Sequence, residues 1–509
     1  MHLPEEQERL EKLKKIRELG IDPYPPRFEG KTLITEALEE AVKIKLRESE
    51  EVMEKASAKV VLAGRLMTFR EHGRLSFGQL QDESGRIQLA FVRDKFEVAG
   101  LRSGAKISSD EFARKLIDCG DFIGARGELF QTKHGEITLF VTEVTLLAKT
   151  LLPLPEKWHG LQDEDLRYRQ RYLDFVMHPE LKAMFVRKNL FWQSFREFLT
   201  EKGFLEVETP VLEVTAGGAD ADPFVTHHKA LDLDLYLRIS MGELWQKRLM
   251  VAGFEKTFEI GRQFRNEGMS REHLQDYTQM EYYWAYANFE DSMRLVEEMY
   301  KYVAKKTFGK TRFKIGEFEV EFNQTWPRID YAETIQKELD FEIAGAKEGT
   351  GNNDRCSLQA KLKELKINFD PKLTKHRLID LLWKQCRKKI AGPCFLVGHP
   401  VEVSPLAKRD PENPKTVQRF QVILAGSEMG NGYSELNDPL DQEERFKEQA
   451  RLREKGDAEA QMHDRDFVEA LKHGMPPTSG FGISERLFSF LEDKPVRECV
   501  MFPLVKPVD

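Results

Sequence analysis

The chain has no uninterrupted apolar stretch approaching the roughly 20 residues a helix needs to cross a bilayer. Its opening run, Met1-His2-Leu3-Pro4-Glu5-Glu6, is acidic where a secretory leader would carry a basic segment ahead of an apolar one. A cytoplasmic protein is therefore expected. Cysteine is scarce: five in 509 residues, Cys119, Cys356, Cys386, Cys394 and Cys499, with no close-spaced pair. That argues against a disulfide framework or a zinc motif and predicts reduced thiols with mostly structural roles. An excess of base is missing too. A net charge of −8 and a pI near 6.0 argue against a protein that coats nucleic acid non-specifically, though not against a local basic face. There is no GxxxxGKS/T phosphate loop, no strand-to-helix dinucleotide fingerprint and no HExxH pair. What is present, 40% hydrophobic and 32% charged residues, suffices for two or three domains and a large core.

The first segment, residues 1–57, is charge-rich. Leu10, Leu13, Ile16 and Leu19 recur at helical spacing, so Glu5 to Leu19 reads as an amphipathic helix ended by Gly20 and the prolines at 23, 25 and 26. A second helix is expected from Ile34 to Glu54. Lys12, Lys14 and Lys15 could lie along a nucleic-acid backbone, or the helices could only pack on their neighbour. From Lys59 the period becomes strand-like: 59–70, 74–82, 86–93, 121–131 and 136–148 are rich in Val, Ile, Leu, Phe and Thr, with a helical stretch near 109–117 before the fourth. That order is the one expected of an OB-fold barrel, here residues 58–150, whose exposed face commonly binds single-stranded nucleic acid. Phe77 and Gln88 fall on the second and third strands. A ring there can stack on a base for roughly 1–3 kcal/mol and an amide can read its edge, although Phe77 is equally placed to be core.

A connector, Leu152-Pro153-Leu154-Pro155, begins the third segment, 151–509. It mixes helices (187–202, 289–306, 443–456) with strands (204–214, 256–267, 277–286, 394–398, 418–425, 429–436). Strands that do not alternate regularly with helices point to an α+β fold, an antiparallel sheet flanked by helices. Phe264-Arg265-Asn266-Glu267-Gly268, followed by His273, Tyr277, Glu281 and Tyr283, reads as two antiparallel strands and a polar loop. Alternation would set Arg265 and Glu267 on one face and Tyr277, Glu281 and Tyr283 on another. Paired, the strands would join a planar cation, carboxylates, a histidine and an aromatic ring on one surface, as a nucleotide site requires; a solvated edge would show the same alternation. Asn431, Tyr433 and Glu435 share a face at i, i+2 and i+4, a pocket suited to an ammonium group or a face turned to water. Glu428, just upstream, could reach a metal ion bridging phosphates. In Gly480-Phe481-Gly482-Ile483-Ser484-Glu485-Arg486, glycines admit a ligand to the backbone, and Arg486 could clamp a phosphate tail.

Together these segments resemble the signature motifs of class II aminoacyl-tRNA synthetases, and within them the lysyl-tRNA synthetase family. The likeness extends over nearly the whole chain. It includes Arg167-Tyr168-Arg169-Gln170-Arg171-Tyr172-Leu173-Asp174, the motif-1-like Gly203-Phe204-Leu205-Glu206-Val207-Glu208-Thr209-Pro210, Thr226-His227-His228-Lys229-Ala230-Leu231-Asp232-Leu233 and Ser434-Glu435-Leu436-Asn437-Asp438-Pro439. The resemblance implies activation of L-lysine with ATP and Mg2+ to an adenylate, and transfer of the lysyl group to the 3′ end of tRNA(Lys). It implies Arg265 and Arg486 as catalytic, Arg265 bridging the lysine carboxylate and α-phosphate and Arg486 clamping the distal phosphates. Glu267 would face the adenine amino group, Tyr277 stack on the ring, His273 approach the polyphosphate and Glu428 hold magnesium. Gly218 and Glu243 would receive the α-amino group, and Glu281, Tyr283, Asn431, Tyr433 and Glu435 the side chain. Phe77 and Gln88 would meet the anticodon, and a homodimer would form through Phe185 to Pro210.

Departures from the family pattern centre on the phosphate end. Gln421 stands where a second metal-binding glutamate is expected. Leu274-Gln275-Asp276 differs from the usual Asn-Pro-Glu, Asp222 replaces an arginine, and there are one-residue length differences before Glu243 and before Arg486. The alternatives are an aspartyl- or asparaginyl-tRNA synthetase, which needs a cationic pocket where this chain offers Glu281 and Glu435; a protein lysyltransferase, which would lack the barrel; and a catalytically silent tRNA-binding paralogue.

Overall fold

A computed structural model of the chain describes residues 4–43, 59–102, 104–132, 134–155, 163–219, 221–343, 355–454 and 460–507. It divides into two compact units, Met1–Arg167 and Tyr168–Asp509. In the first, α1 (Pro4–Glu18) and α2 (Ile34–Lys43) precede β1 (Lys59–His72), β2 (Leu75–Gln81), β3 (Arg86–Val92), β4 (Glu97–Val98), α3 (Ser109–Leu116), β5 (Phe122–Gln131) and β6 (Ile137–Ala148). Val60, Leu62 and Leu66 turn inward at the two-residue period of β1. The strands run in the order β3-β2-β1-β5-β6, and a parallel pairing of β3 with β6 closes the barrel. Helix α3 enters between the third and fourth long strands as expected, started by a reciprocal Ser108–Glu111 capping box.

Ile16, Ile34, Ala37 and Ala41 join the barrel's own core, so the two N-terminal helices pack as part of this unit. The second stops at Lys43, short of the expected Glu54; positions 44–54 lie outside the described residues. Lys12 is held by Asp118 at 2.7 Å and Glu8 at 2.8 Å, while Lys14 and Lys15 are exposed.

The second unit carries α5 (Arg171–Met177) after the linking α4 (Glu164–Arg169), then α6 (Glu180–Glu201), β7 (Leu205–Glu206), β8 (Leu212–Glu213), β9 (Val225–His228), β10 (Leu233–Leu237), α7 (Glu243–Val251), β11 (Lys256–Phe264), β12 (Asp276–Ala285) and α8 (Phe289–Phe308). There follow β13 (Arg312–Ile315), β14 (Phe318–Glu321), β15 (Arg328–Asp330), α9 (Tyr331–Leu339), α10 (Arg355–Glu364), α11 (Lys375–Arg387), β16 (Cys394–Val397), β17 (Arg419–Leu424), β18 (Ser427–Ser434), α12 (Pro439–Glu454), α13 (Arg465–Lys472), β19 (Thr478–Ser484) and α14 (Arg486–Leu491). Eight strands form one sheet, β15-β16-β17-β18-β19-β12-β11-β7, antiparallel except for its two outermost pairings. The expected α+β architecture is what folds.

Alternation across this sheet separates core from site. Met280 and Tyr282 of β12, Phe420 of β17 and Phe481 and Ile483 of β19 bury one face in the cluster that includes Phe195 and Phe198 of α6 and Val296 and Tyr300 of α8. The intervening residues face the other way. Helix α8 is fixed by an Asn288–Asp291 capping box and ends at Gly309. Helices α9–α11 bury Leu358, Leu362, Leu378, Leu382 and Trp383 in a further cluster with Cys394 and Leu396 of β16 and Ile423 of β17.

Three expectations need correction. The strand expected over 204–214 is two short pieces: β7 pairs with β11, whereas β8 joins β10 and β9 in a separate small sheet. Pro210 lies between them and has no amide hydrogen to continue a ladder. Helix α6 begins at Glu180 after Pro179, not at 187. The strand expected over 256–267 ends at Phe264 because the Asn266 amide donates to the Asp222 carbonyl at 2.8 Å and turns the chain away, so Arg265 and Glu267 sit beyond the strand rather than on its face.

Phe481 is 2% exposed, stacked on Phe420 with centroids 5.7 Å apart and in ring contact with Tyr282 and Tyr300. Phe481→Ala should lower the urea midpoint of this unit, read by fluorescence of Trp192, Trp245, Trp284, Trp326 and Trp383, by an amount equivalent to about 3–5 kcal/mol. An unchanged midpoint would contradict this view of the core.

Candidate active site

The face of the sheet opposite that core opens into a cavity of about 510 Å³. Strand β12 supplies Tyr277, Gln279, Glu281 and Tyr283 at successive alternate positions, β18 supplies Asn431 and Tyr433 with Glu435 just past its end, and β19 runs between them with Gly480 and Gly482. Those glycines have a steric reason. A Cβ on Gly480 would lie 2.3 Å from Glu435 Oε1 and 2.7 Å from the Tyr283 ring, so only glycine leaves the carboxylate its seat. Gly218 has φ +88°, and a Cβ there would lie 2.5 Å from Ser240 Oγ. Glu243 enters at the start of α7 after left-handed Gly242.

One end of the cavity is acidic and dry. Glu243, Glu281 and Glu435 are 4%, 5% and 1% exposed. Glu281 accepts from the Met241 amide at 3.0 Å, Gln279 Nε2 at 2.6 Å and Tyr283 Oη at 2.9 Å. Burial, and secondarily the nearby Glu243, still push its carboxyl up to about 7. Burial likewise raises Glu435 well above the ordinary carboxylate range, opposed by Lys247. The Tyr433 hydroxyl donates to Glu243 Oε1. Lys247 Nζ lies 2.7 Å from Glu243 Oε1 and 2.5 Å from Glu435 Oε2.

The other end is cationic. Arg265 and Arg486 line it with His273, and the guanidinium carbon of Arg265 is 5.8 Å from the Tyr277 ring centroid. Arg486 begins α14 directly after β19, and its Nη2 donates to the Glu428 carbonyl. Burial, then Arg486, lowers the His273 pKa and favours the neutral ring, whose Nδ1 is 2.7 Å from Ser270 Oγ. Glu267 and Glu428 complete this wall.

Every residue expected for ATP or the amino acid therefore lines the one cavity. Gln421 does not: it is directly paired with Asn431 but only 7% exposed and interacts with His399. Among the described residues no group of three or more His, Cys, Asp or Glu side chains forms a ready-made metal cage. The Glu428 carboxylate, lining the cavity with Arg265, His273 and Arg486, would suit a magnesium ion that takes most of its oxygens from phosphate and water. Phe77 and Gln88 are half-buried on the barrel surface; the Gln88 amide donates to Glu136 at 3.0 Å and accepts from Thr138 at 3.0 Å.

Sequence reading missed four contributors. Gln279 could have been found by continuing the β12 alternation one step. Arg419, whose Nε donates to Asn431 Oδ1 at 2.8 Å, and Arg387, on α11 at the cavity mouth, carried no local signal. Lys247 reads in sequence as an ordinary i,i+4 surface partner of Glu243, yet its side chain is 1% exposed.

A barrel of OB topology followed by this antiparallel sheet, with acid and base at opposite ends of one cavity, defines a class II synthetase architecture. Residues 60–147 match the OB-fold nucleic acid binding domain, and residues 163–506 match the tRNA synthetases class II (D, K and N). Similar full-length proteins include the lysine–tRNA ligases of Thermotoga sp. (strain RQ2), 44% identical over 98% of this chain and 96% of that one, and of Carboxydothermus hydrogenoformans, 42% identical over 98% of both. That of Thermosipho africanus is 42% identical over 99% of this chain and 96% of its own length. The chain belongs to the lysine–tRNA ligase family of the class II tRNA synthetases.

Burial pushes the Glu281 carboxyl up to about 7, so an ammonium ligand bound beside it should displace its proton. Calorimetry with L-lysine at pH 6.5, in buffers of different ionisation enthalpy, should show net proton release that fades by pH 8.5. A binding enthalpy independent of buffer at pH 6.5 would contradict the raised pKa.

Proposed function

We propose that the protein is a lysine–tRNA ligase that activates L-lysine with ATP and transfers the lysyl group to the 3′ end of tRNA(Lys). The observation that carries this reading is the polarity of the cavity: three buried carboxylates at one end, two arginines and a histidine at the other. A ligand with two ammonium groups and a carboxylate, beside a polyphosphate, matches that distribution of charge. An aspartate or asparagine side chain does not, since Glu281 and Glu435 would repel or desolvate against it.

No protein nucleophile is needed. The lysine carboxylate oxygen attacks the α-phosphorus, a bond to oxygen forms, and pyrophosphate leaves with the electron pair of the broken P–O bond. The protein's contribution is alignment and charge stabilisation. Arg265 bridges the lysine carboxylate and α-phosphate, where negative charge builds. Tyr277 stacks on adenine, Glu267 accepts from its amino group, and His273 and Arg486 hold the polyphosphate. Magnesium, held by Glu428 and phosphate oxygens, would neutralise charge on the polyphosphate; the amide of Gln421 offers a weaker donor than a carboxylate.

Gly218 and Glu243 receive the α-amino group, while Glu281, Tyr283, Asn431, Tyr433 and Glu435 enclose the side chain, with Glu435 on the ε-ammonium. A carboxylate about 4 Å from an ammonium contributes about 4 kcal/mol at an effective dielectric near 20, before desolvation. The barrel, 58–150, serves as the anticodon-binding module through Phe77 and Gln88, ahead of a catalytic domain over 151–509. A homodimer through Phe185 to Pro210 is supported by the exposure of Val186 and Leu205, 69% and 52%. Among the described residues no helix is long and apolar enough to cross a membrane, which suits a cytoplasmic enzyme.

ATP–pyrophosphate exchange across the twenty amino acids, followed by charging of tRNA(Lys), tests the reading: exchange should depend on lysine, and exchange driven by aspartate or asparagine would overturn it. Glu435→Gln should raise the lysine KM at least about 100-fold, on the scale of a lost buried charge pair, with little change for ATP; an unchanged lysine KM and kcat would remove Glu435 from the pocket. Gly480→Ala should weaken lysine in the same sense by displacing the Glu435 carboxylate, and wild-type kinetics would show that the close approach is dispensable.

A further inference from the structure

Lys247 stands behind the pocket wall and does not line the cavity. Its ammonium takes one oxygen from each of two carboxylates, Glu243 Oε1 at 2.7 Å and Glu435 Oε2 at 2.5 Å. The other Glu435 oxygen, Oε1, is the one seated over Gly480 on the cavity floor. Two aromatic faces enclose the ammonium, Tyr433 at 5.5 Å and Phe467 at 5.9 Å. Among the described residues no other cation forms a salt bridge with these two acids. The neighbouring Arg248 is turned to Asp464 at 3.0 Å, and Arg238 holds Glu259 at 2.6 Å.

Resting on the reading of the cavity as a lysine site, we propose that Lys247 is a positioning and specificity residue: an internal ammonium that orients Glu243 and Glu435 and offsets their negative charge. Without Lys247 the Glu243 and Glu435 carboxylates would lose the cation that opposes their charge, and the pocket's acids would take up a proton more readily. The same ammonium points one oxygen of each carboxylate away from the cavity, leaving the other for the substrate.

The groups facing this ammonium support the assignment from every side. Glu243 lies on its own helix, Tyr433 on β18 with Glu435 just beyond, and the Phe467 ring on α13; Glu259 of β11 and Asp464 at the start of α13 already have arginine partners. Burial alone would lower the Lys247 pKa, but Glu243 and Glu435 outweigh it and raise it, so the charge persists.

The test is Lys247→Met in the full-length protein. In lysine-dependent exchange, the lysine KM should rise at least about tenfold at pH 7 with the ATP KM within about twofold, and the acid limb of kcat/KM for lysine should move up by about one pH unit. A loss of activity with the limb unmoved, or wild-type kinetics, would overturn the proposal and leave Lys247 a packing residue. A second measurement needs no substrate and separates this inference from the assigned activity: the drop in Tm caused by Lys247→Met should be larger at pH 8 than at pH 5.5, because uncompensated carboxylates cost more where they ionise. An equal drop at both pH values would overturn it even if the wild-type enzyme activates lysine.

Discussion

Three carboxylates held out of water, two of them on a single internal ammonium, are the constraint on which the rest of the structure depends. Burying one unpaired carboxylate costs several kcal/mol, and like charges beside one another add to that. The fold meets the cost with Lys247, with the Tyr283 and Tyr433 hydroxyls, with the Gln279 amide and with the Met241 backbone amide. It does not meet it fully, as the elevated Glu281 and Glu435 show. On the proposed reading an incoming diammonium ligand would relieve the remainder, so the cost of burying these acids would also select the ligand.

The sheet makes this arrangement possible. Strands β12, β19 and β18 are neighbours, so Glu281, Gly482 and Asn431 come into register across three strands, as do Tyr283, Gly480 and Tyr433. The central strand contributes almost no side chain on the site face, and its glycines create the floor. On the opposite face the same strands carry Met280, Tyr282, Phe481 and Ile483 into the large core, which fixes the floor against collapse. The cationic end follows from the termini of the same elements: Arg486 where β19 passes into α14, and Arg265 where β11 ends.

Much of this was legible in sequence because it is written in periods of two. The barrel strands and their inserted helix, the β12 alternation from Tyr277 to Tyr283 and the Asn431–Tyr433–Glu435 face all declared themselves, and the motif resemblance joined them into one site. Features that depend on partners distant in sequence did not show. Arg265 and Glu267 looked like strand residues because nothing local announces that the Asn266 amide finds the Asp222 carbonyl. Pro210 could have shown that 204–214 is not one strand, but not that its halves join different sheets. Helices α9–α11 were not among the expected helices, although Leu358/Leu362 and Leu378/Leu382 have helical spacing. Lys247 is the extreme case: four residues after a glutamate, it has the pattern of a surface ion pair, and only its surroundings make it a buried counter-ion.

The claim that charge in this pocket selects the substrate is tested most directly by comparing L-lysine with L-norleucine, which keeps the aliphatic chain and α-amino group but lacks the ε-ammonium. In pyrophosphate exchange with the wild-type protein at pH 7.5, kcat/KM for norleucine should be lower by about 10³-fold or more, the scale expected when a site built to bind a polar group receives an analogue lacking it. Activation of norleucine within about tenfold of lysine would contradict the account.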